Sequence, residues 1–234
     1  IPAAIPPWPW RRIGPYDRRV EVSGAEPKVE IVPVLRAILF AAMIALPALA
    51  GAQTTAVKVD TAIVSRALAY LNGARTITAK FIQRDMRGNQ WAGRLWVDRP
   101  GRLRFQYDPP ESDVIWSDQN LVKHFDAELE TLTHVPRNLT PAWFLLDDPV
   151  RITQDVQVLA TAETPDRYFI TAAQNGVLAE GRVTLAFSKA PETLIGWTVT
   201  DGSGAVTHLD LYDLKVGGPI DRKLFQFNPP IPQQ

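Results

Sequence analysis

Cysteine is absent from the 234 residues. The chain therefore offers no disulfide framework, no thiolate metal site, no thiol nucleophile and no cysteine for lipidation. Histidine is scarce: His124, His134 and His208 are the only three. None stands at a metal-ligand spacing, and H-x-x-x-H and H-E-x-x-H are both missing. His124 with Asp126, and His208 with Asp210, lie two apart, which on a strand puts each pair on one face. A Ser/His/Asp site could be drawn with Ser117, but no G-x-S-x-G surrounds it. No glycine-rich phosphate loop follows a strand, so nucleotide binding is not expected. These lacks predict a protein that is not an enzyme, with no catalytic residue, metal or cofactor. Excess charge of either sign is missing too, with Lys plus Arg equal to Asp plus Glu at 25 each. No basic field draws the chain to nucleic acid.

Long hydrophobic runs are limited to one, Ala37–Ala50, preceded by Arg36 and followed by possible A-x-A cleavage sites at Ala48–Ala50 and Ala50–Ala52. A basic flank, a short apolar core and a small-residue end predict a signal peptide over residues 36–52. About 14 apolar residues at ~1.5 Å each fall short of the ~30 Å hydrocarbon core of a membrane. Residues 1–35 precede it, with seven prolines in Ile1–Pro33 and no helical or strand period. They read as a disordered extension, or as upstream sequence if translation starts near Val32, Val34 or Leu35. Residues 53–234 are then one domain, since a single sheet protein often uses such a length.

Within that domain Asp60–Leu71 reads as a helix. Ile63, Val64, Ala67, Leu68 and Leu71 make one apolar stripe, with Asp60 as N-cap and Gly73 as stop. Almost everything after it alternates. Ile77, Ala79 and Phe81 share a parity, as do Trp91, Leu95 and Val97, and Leu103, Phe105 and Tyr107. Period-2 patterning with turns every 8–12 residues predicts a meandering antiparallel sheet. Arg99–Pro100–Gly101–Arg102 suits a type II turn and Asp201–Gly202–Ser203–Gly204 a hairpin tip. Thr140–Leu146 (TPAWFLL) breaks the pattern. It predicts a helix apolar nearly all round, which needs cover on more than one side. Asp147 and Asp148 end it and are expected to face solvent.

The stretch GRLWVDRPGRLRFQYDPPESDVIWSD at residues 93–118 resembles the central signature of LolA-type lipoprotein carriers. Phe81-Ile82-Gln83 is similar to that family's phenylalanine–glutamine strand, and Leu224-Phe225-Gln226-Phe227-Asn228-Pro229-Pro230 to its closing F-x-F-x-P-P. The likeness runs over about residues 56–231. It implies a mainly β fold with some α: a half-open antiparallel barrel under a helical lid, enclosing a hydrophobic cavity for acyl chains. The implied function is a Gram-negative periplasmic carrier. It takes lipoproteins released by an inner-membrane ABC transporter and passes them to an outer-membrane acceptor or to the outer membrane itself, working as a monomer. The residues expected at the cavity and lid are Trp91, Leu95, Val97, Arg99, Leu103, Phe105, Tyr107, Trp116, Trp143 and Phe144. In relatives the arginine of the R-P turn hydrogen-bonds lid backbone, and here it matches Arg99. Aromatic side chains suit cargoes that share only a lipid, because they offer large, poorly specific apolar area. Pattern alone leaves an ordinary filled core open as the alternative. Other readings are another periplasmic lipid shuttle, a lipid-sensing regulator of the same fold, or a secreted hydrolase.

Overall fold

The structure is a computed structural model that describes residues 59–174 and 181–229. The expected extension over 1–35 and signal peptide over 36–52 lie outside the described residues.

Helix α1 spans Thr61–Gly73, and the Asp60 side chain accepts from the Ala62 amide at 2.8 Å. Its apolar stripe buries Ala67 and Leu71, with Ile63, Val64 and Leu68 packed alongside. Gly73 is the last helical residue, and the Ala74 amide closes the helix on the Tyr70 and Leu71 carbonyls. Eleven strands follow: β1 (Thr76–Asp85), β2 (Gln90–Asp98), β3 (Arg102–Tyr107), β4 (Val114–Asp118), β5 (Leu121–Asp126), β6 (Thr131–Pro136), β7 (Val156–Glu163), β8 (Arg167–Gln174), β9 (Arg182–Lys189), β10 (Glu192–Thr200) and β11 (Val206–Val216). They form one antiparallel sheet in the order β6-β5-β4-β3-β2-β1-β11-β10-β9-β8-β7. β6 and β7 are its free edges, so the sheet does not close. The expected half-open, mainly β architecture is the one observed.

A second helix, α2 (Trp143–Leu146), lies in the connection between the two free edges. It is one turn long, shorter than the expected Thr140–Leu146. Thr140 is extended and Ala142 is the N-cap, so Thr140 and Pro141 lead into the helix instead of starting it. A residue before proline is pushed out of the helical region, which delays the start.

Alternation decides what the sheet buries. Ile77, Ala79, Phe81, Leu95, Val97, Leu103, Phe105 and Tyr107 join one cluster with α1, α2 and the inner residues of β8–β11. One face of the sheet thus wraps both helices. The β2–β3 connection differs from the expected two-residue tip: Asp98 pairs with Arg102, so Arg99, Pro100 and Gly101 all lie in the loop. Gly101 does adopt the expected positive φ, 75°. Close approach matters more at Gly93, where an added Cβ would meet the Gln106 carbonyl oxygen at 2.4 Å and the Phe81 ring at 2.5 Å. Gly93 makes room for that ring between β1 and β3. Gly93→Ala is therefore expected to cost about 1–3 kcal/mol through overpacking, read as a lowered urea midpoint with an unchanged denaturant slope.

Candidate functional site

The middle of the buried face is aromatic. The Phe105 ring lies 6.2 Å from Trp197, and Trp197 lies 5.3 Å from Phe144 of α2, which meets Trp143 at 5.9 Å. All four α2 side chains are buried. Between α2 and the sheet a hollow of about 30 Å³ remains, walled by Leu103, Phe105, Phe144, Leu145, Trp197 and Val199. That is room for a water or two, against roughly 300–1,000 Å³ for a ligand pocket. Among the described residues, the space directly beneath α2 is therefore filled by the side chains of α2 itself.

Nine of the ten residues expected at the cavity and lid share this side of the sheet. Leu95, Val97, Leu103, Phe105, Tyr107, Trp143 and Phe144 are in its core, and Trp91 is half-buried against it. Trp116 is the exception. The inward parity on β4 belongs to Ile115 and Ser117, so Trp116 points to the opposite face. There it packs with Val114, Phe125 and Phe227, whose ring is 4.9 Å away, beneath the C-terminal segment. Trp197, Val199 and Ile115 were not singled out from sequence, and Leu145 was read only as part of the apolar helix. Ile115 was reachable through its cross-strand pairing with Phe105; no local signal marked Trp197.

Arg99 is the most constrained polar residue of the site. It is 1% exposed. Its Nε donates to the Leu145 carbonyl at 3.2 Å and one terminal nitrogen to the Phe144 carbonyl at 2.7 Å, both in α2. The other terminal nitrogen donates to the Leu71 carbonyl in α1. The Leu71 carbonyl is shared with the Ala74 amide; those of Phe144 and Leu145 are last-turn carbonyls that a helix leaves without partners. The Gly101 amide takes the next one, Leu146, at 2.8 Å, and the Ser117 hydroxyl holds the Gly101 carbonyl at 2.9 Å. One turn of the sheet thereby seats both helices. Burial pulls the Arg99 guanidinium down to about 10, opposed by the carboxylates of Asp148 and Asp147. Asp148 is exposed as expected; Asp147 is half-buried and stands 3.9 Å from Arg137.

An open sheet wrapped over an apolar lid whose seat is a buried arginine is the geometry that the sequence resemblance implied. A family model described as "Outer membrane lipoprotein carrier protein LolA" matches residues 72–228. The chain belongs to the LolA family. An outer-membrane lipoprotein carrier protein of Legionella pneumophila (strain Lens) is 30% identical over 168 residues, 68% of this chain and 82% of that protein. Its counterpart from Chromohalobacter salexigens is 27% identical over 204 residues, 83% of this chain and 92% of that protein. The solved structure of a LolA superfamily protein from Nitrosomonas europaea aligns over 70% of this chain and 96% of its own, at 12% identity and a TM-score of 0.43.

At the far end of this LolA-family sheet lies a second polar group. His124 Nε2 and Asp113 Oδ2 are 2.7 Å apart and both residues are buried. The Ala127 amide donates to the other Asp113 oxygen at 3.0 Å. His124 is thus joined to Asp113, not to Asp126, whose carboxylate takes the Glu128 and Leu129 amides. His208 meets the Thr198 hydroxyl at 2.8 Å. With Ser117 committed to Gly101, the Ser/His/Asp grouping drawn from sequence is not assembled. Burial, with the neighbouring Asp113 second, pushes the Glu111 carboxyl up to about 7. Burial would raise Asp113 as well, but its hydrogen bonds to His124 and Ala127 hold it below its ordinary value.

The two carboxyls act on stability with opposite signs. Glu111 binds its proton more tightly folded than unfolded, so its contribution is lost as pH rises from its ordinary 4.5 to about 7. Asp113 does the reverse, contributing above its ordinary value of 3.8 and losing that contribution as pH falls. Glu111→Gln is expected to flatten the decline in unfolding free energy between about pH 4.5 and 7, checked by urea denaturation across that range.

Proposed function

We propose that this chain carries lipoproteins across the periplasm by exchanging its own α2 side chains for the acyl chains of the cargo. The observation that carries this reading is the apolar lid seated on Arg99, filling the space an acyl chain would need. Displacing Trp143, Phe144, Leu145 and Leu146 exposes four buried side chains at about 1.5–3 kcal/mol each, roughly 6–12 kcal/mol in all. One acyl chain of about 16 carbons is worth roughly 12 kcal/mol at ~0.8 kcal/mol per methylene. The two are close enough that capture is reversible. The helix-seating bonds of Arg99 then bias the molecule toward closure and help to expel cargo at delivery.

Cargo is received from an inner-membrane ABC transporter and delivered to an outer-membrane acceptor, or to that membrane directly, by a single chain acting alone. The signal peptide expected over residues 36–52 supplies the route to the periplasm. Lipid-facing aromatics fit this role because they discriminate weakly among cargoes.

Arg99→Leu removes the bonds from the guanidinium to α1 and α2 while keeping an apolar filler. Acceptance of lipoprotein from the transporter is expected to persist, and delivery to outer membranes to slow at least tenfold. A two-step transfer assay with purified membranes measures both; an unchanged delivery rate would sink the latch.

A further inference from the structure

Gln83 sits on the inward parity of β1, two residues beyond Phe81, and is 0% exposed. Its cross-strand neighbours are Trp91 on β2 and Leu209 on β11. The Tyr107 hydroxyl donates to Gln83 Oε1 at 2.7 Å, which fixes the amide's orientation. Its Nε2 has no hydrogen-bond partner. A buried donor left unpaired costs about 1–3 kcal/mol, and such groups call for a reason. Other buried polar side chains of this face are satisfied: Arg99 by helix carbonyls, Ser117 by Gly101, and Asp113 by His124 and Ala127.

The position of this donor is informative. On one side, Phe105, the neighbour of Tyr107 on the same face of β3, walls the apolar hollow. On the other, Trp91 is half-buried and lines a cleft of about 590 Å³ with Asp108, Pro109, Glu111 and Glu128. The Gln83–Tyr107 pair therefore stands where an apolar interior meets a solvated, polar opening. A ligand that matches both sides is an amphiphile with a hydrogen-bond acceptor at the junction of tail and head. Few precisely placed polar groups in an apolar wall are how such pockets fix orientation.

We propose that Gln83 Nε2 is a subsite for the carbonyl oxygen of a fatty-acyl ester or amide, with the hydrocarbon lying toward Phe105 and Trp197 and the polar remainder leaving through the Trp91–Glu111 cleft. This rests on the carrier reading but adds to it a recognised atom and a direction of entry. The donor is built for the linkage that every acylated cargo shares, whatever polypeptide follows.

The test compares two probes, 1-monopalmitoylglycerol and 1-hexadecylglycerol, which share a tail and headgroup and differ in the carbonyl. Full-length wild-type protein is expected to bind the ester about tenfold more tightly than the ether, the size of one good hydrogen bond. Gln83→Met is expected to lose that preference while keeping its affinity for the ether. In the wild type, infrared spectra of the ester labelled with carbon-13 at the carbonyl are expected to show the lowered stretch of a hydrogen-bonded carbonyl. That reading stands even if the variant folds poorly. Equal binding of ester and ether by wild type, an ester preference surviving in Gln83→Met, or an unshifted carbonyl would each overturn the subsite and leave the carrier reading intact. Binding of neither probe would overturn both.

Discussion

A buried guanidinium holds the arrangement together. Placing a charge out of water is costly unless every donor is met. Arg99 is met by helix carbonyls, which carry the negative end of each helix dipole. This suits helices of such different lengths for different reasons. α1 has 13 residues and its own apolar stripe, and its Leu71 carbonyl also accepts from the Ala74 amide, so it does not depend on Arg99. α2 has four, far below the length at which a helix sustains itself in water. Its last three carbonyls are all bonded by the β2–β3 turn, two to Arg99 and one to Gly101. The lid is thus helical because it is seated. Lifted from its seat it has no reason to remain a helix, and opening is better pictured as local unwinding than as a hinged rigid plate.

An unclosed sheet complements such a lid. A sealed barrel could widen only by breaking ladder hydrogen bonds. Here the free edges are β6 and β7, and the segment bearing α2 joins them. In the proposed exchange, movement of that segment would open the concave face without disturbing any strand pair. The apolar part of the cost is recoverable in that exchange, because such contacts are non-directional and can be re-formed with an acyl chain of no fixed shape. The directional bonds that hold α2 itself come from the Arg99 turn, while Asn72 grips both backbone groups of Val150 and Gln174 donates to the Asn138 carbonyl on either side of it.

Much of this was legible because a strand has period two. Once Leu103, Phe105 and Tyr107 are recognised as one parity, their burial follows from chemistry alone. Trp116 shows the limit. Its size suggested the interior, yet parity is relative to neighbouring strands, and only register with Phe105 reveals that Ile115 points inward. The C-terminal segment then covers Trp116 with Phe227, a long-range contact that no local pattern announces. Arg99 was legible only through family likeness, since R-P-G-R by itself reads as a solvated tip. Its burial arises because two helices, one preceding it by 28 residues and one following by 45, end at the same place. The lid's length was overestimated for a local reason, the constraint that proline puts on Thr140.

The polar residues of the concave face are not scattered. Arg99 and Ser117 stand at one end of β2 and β4; Gln83, Tyr107, Asp113 and His124 gather toward the other, with Leu95, Phe105, Ile115 and Trp197 between. A face designed only to be a core would gain nothing from this order, because each buried polar group must be desolvated and matched. In the proposed exchange of lid for lipid, both ends of this face have a use. The first supplies bonds that only the lid's backbone can accept, so a hydrocarbon cannot replace them. The second offers polarity that a hydrocarbon tail avoids and a headgroup seeks. The closed and loaded states are then told apart by their polar contacts, while the apolar middle serves both nearly equally well.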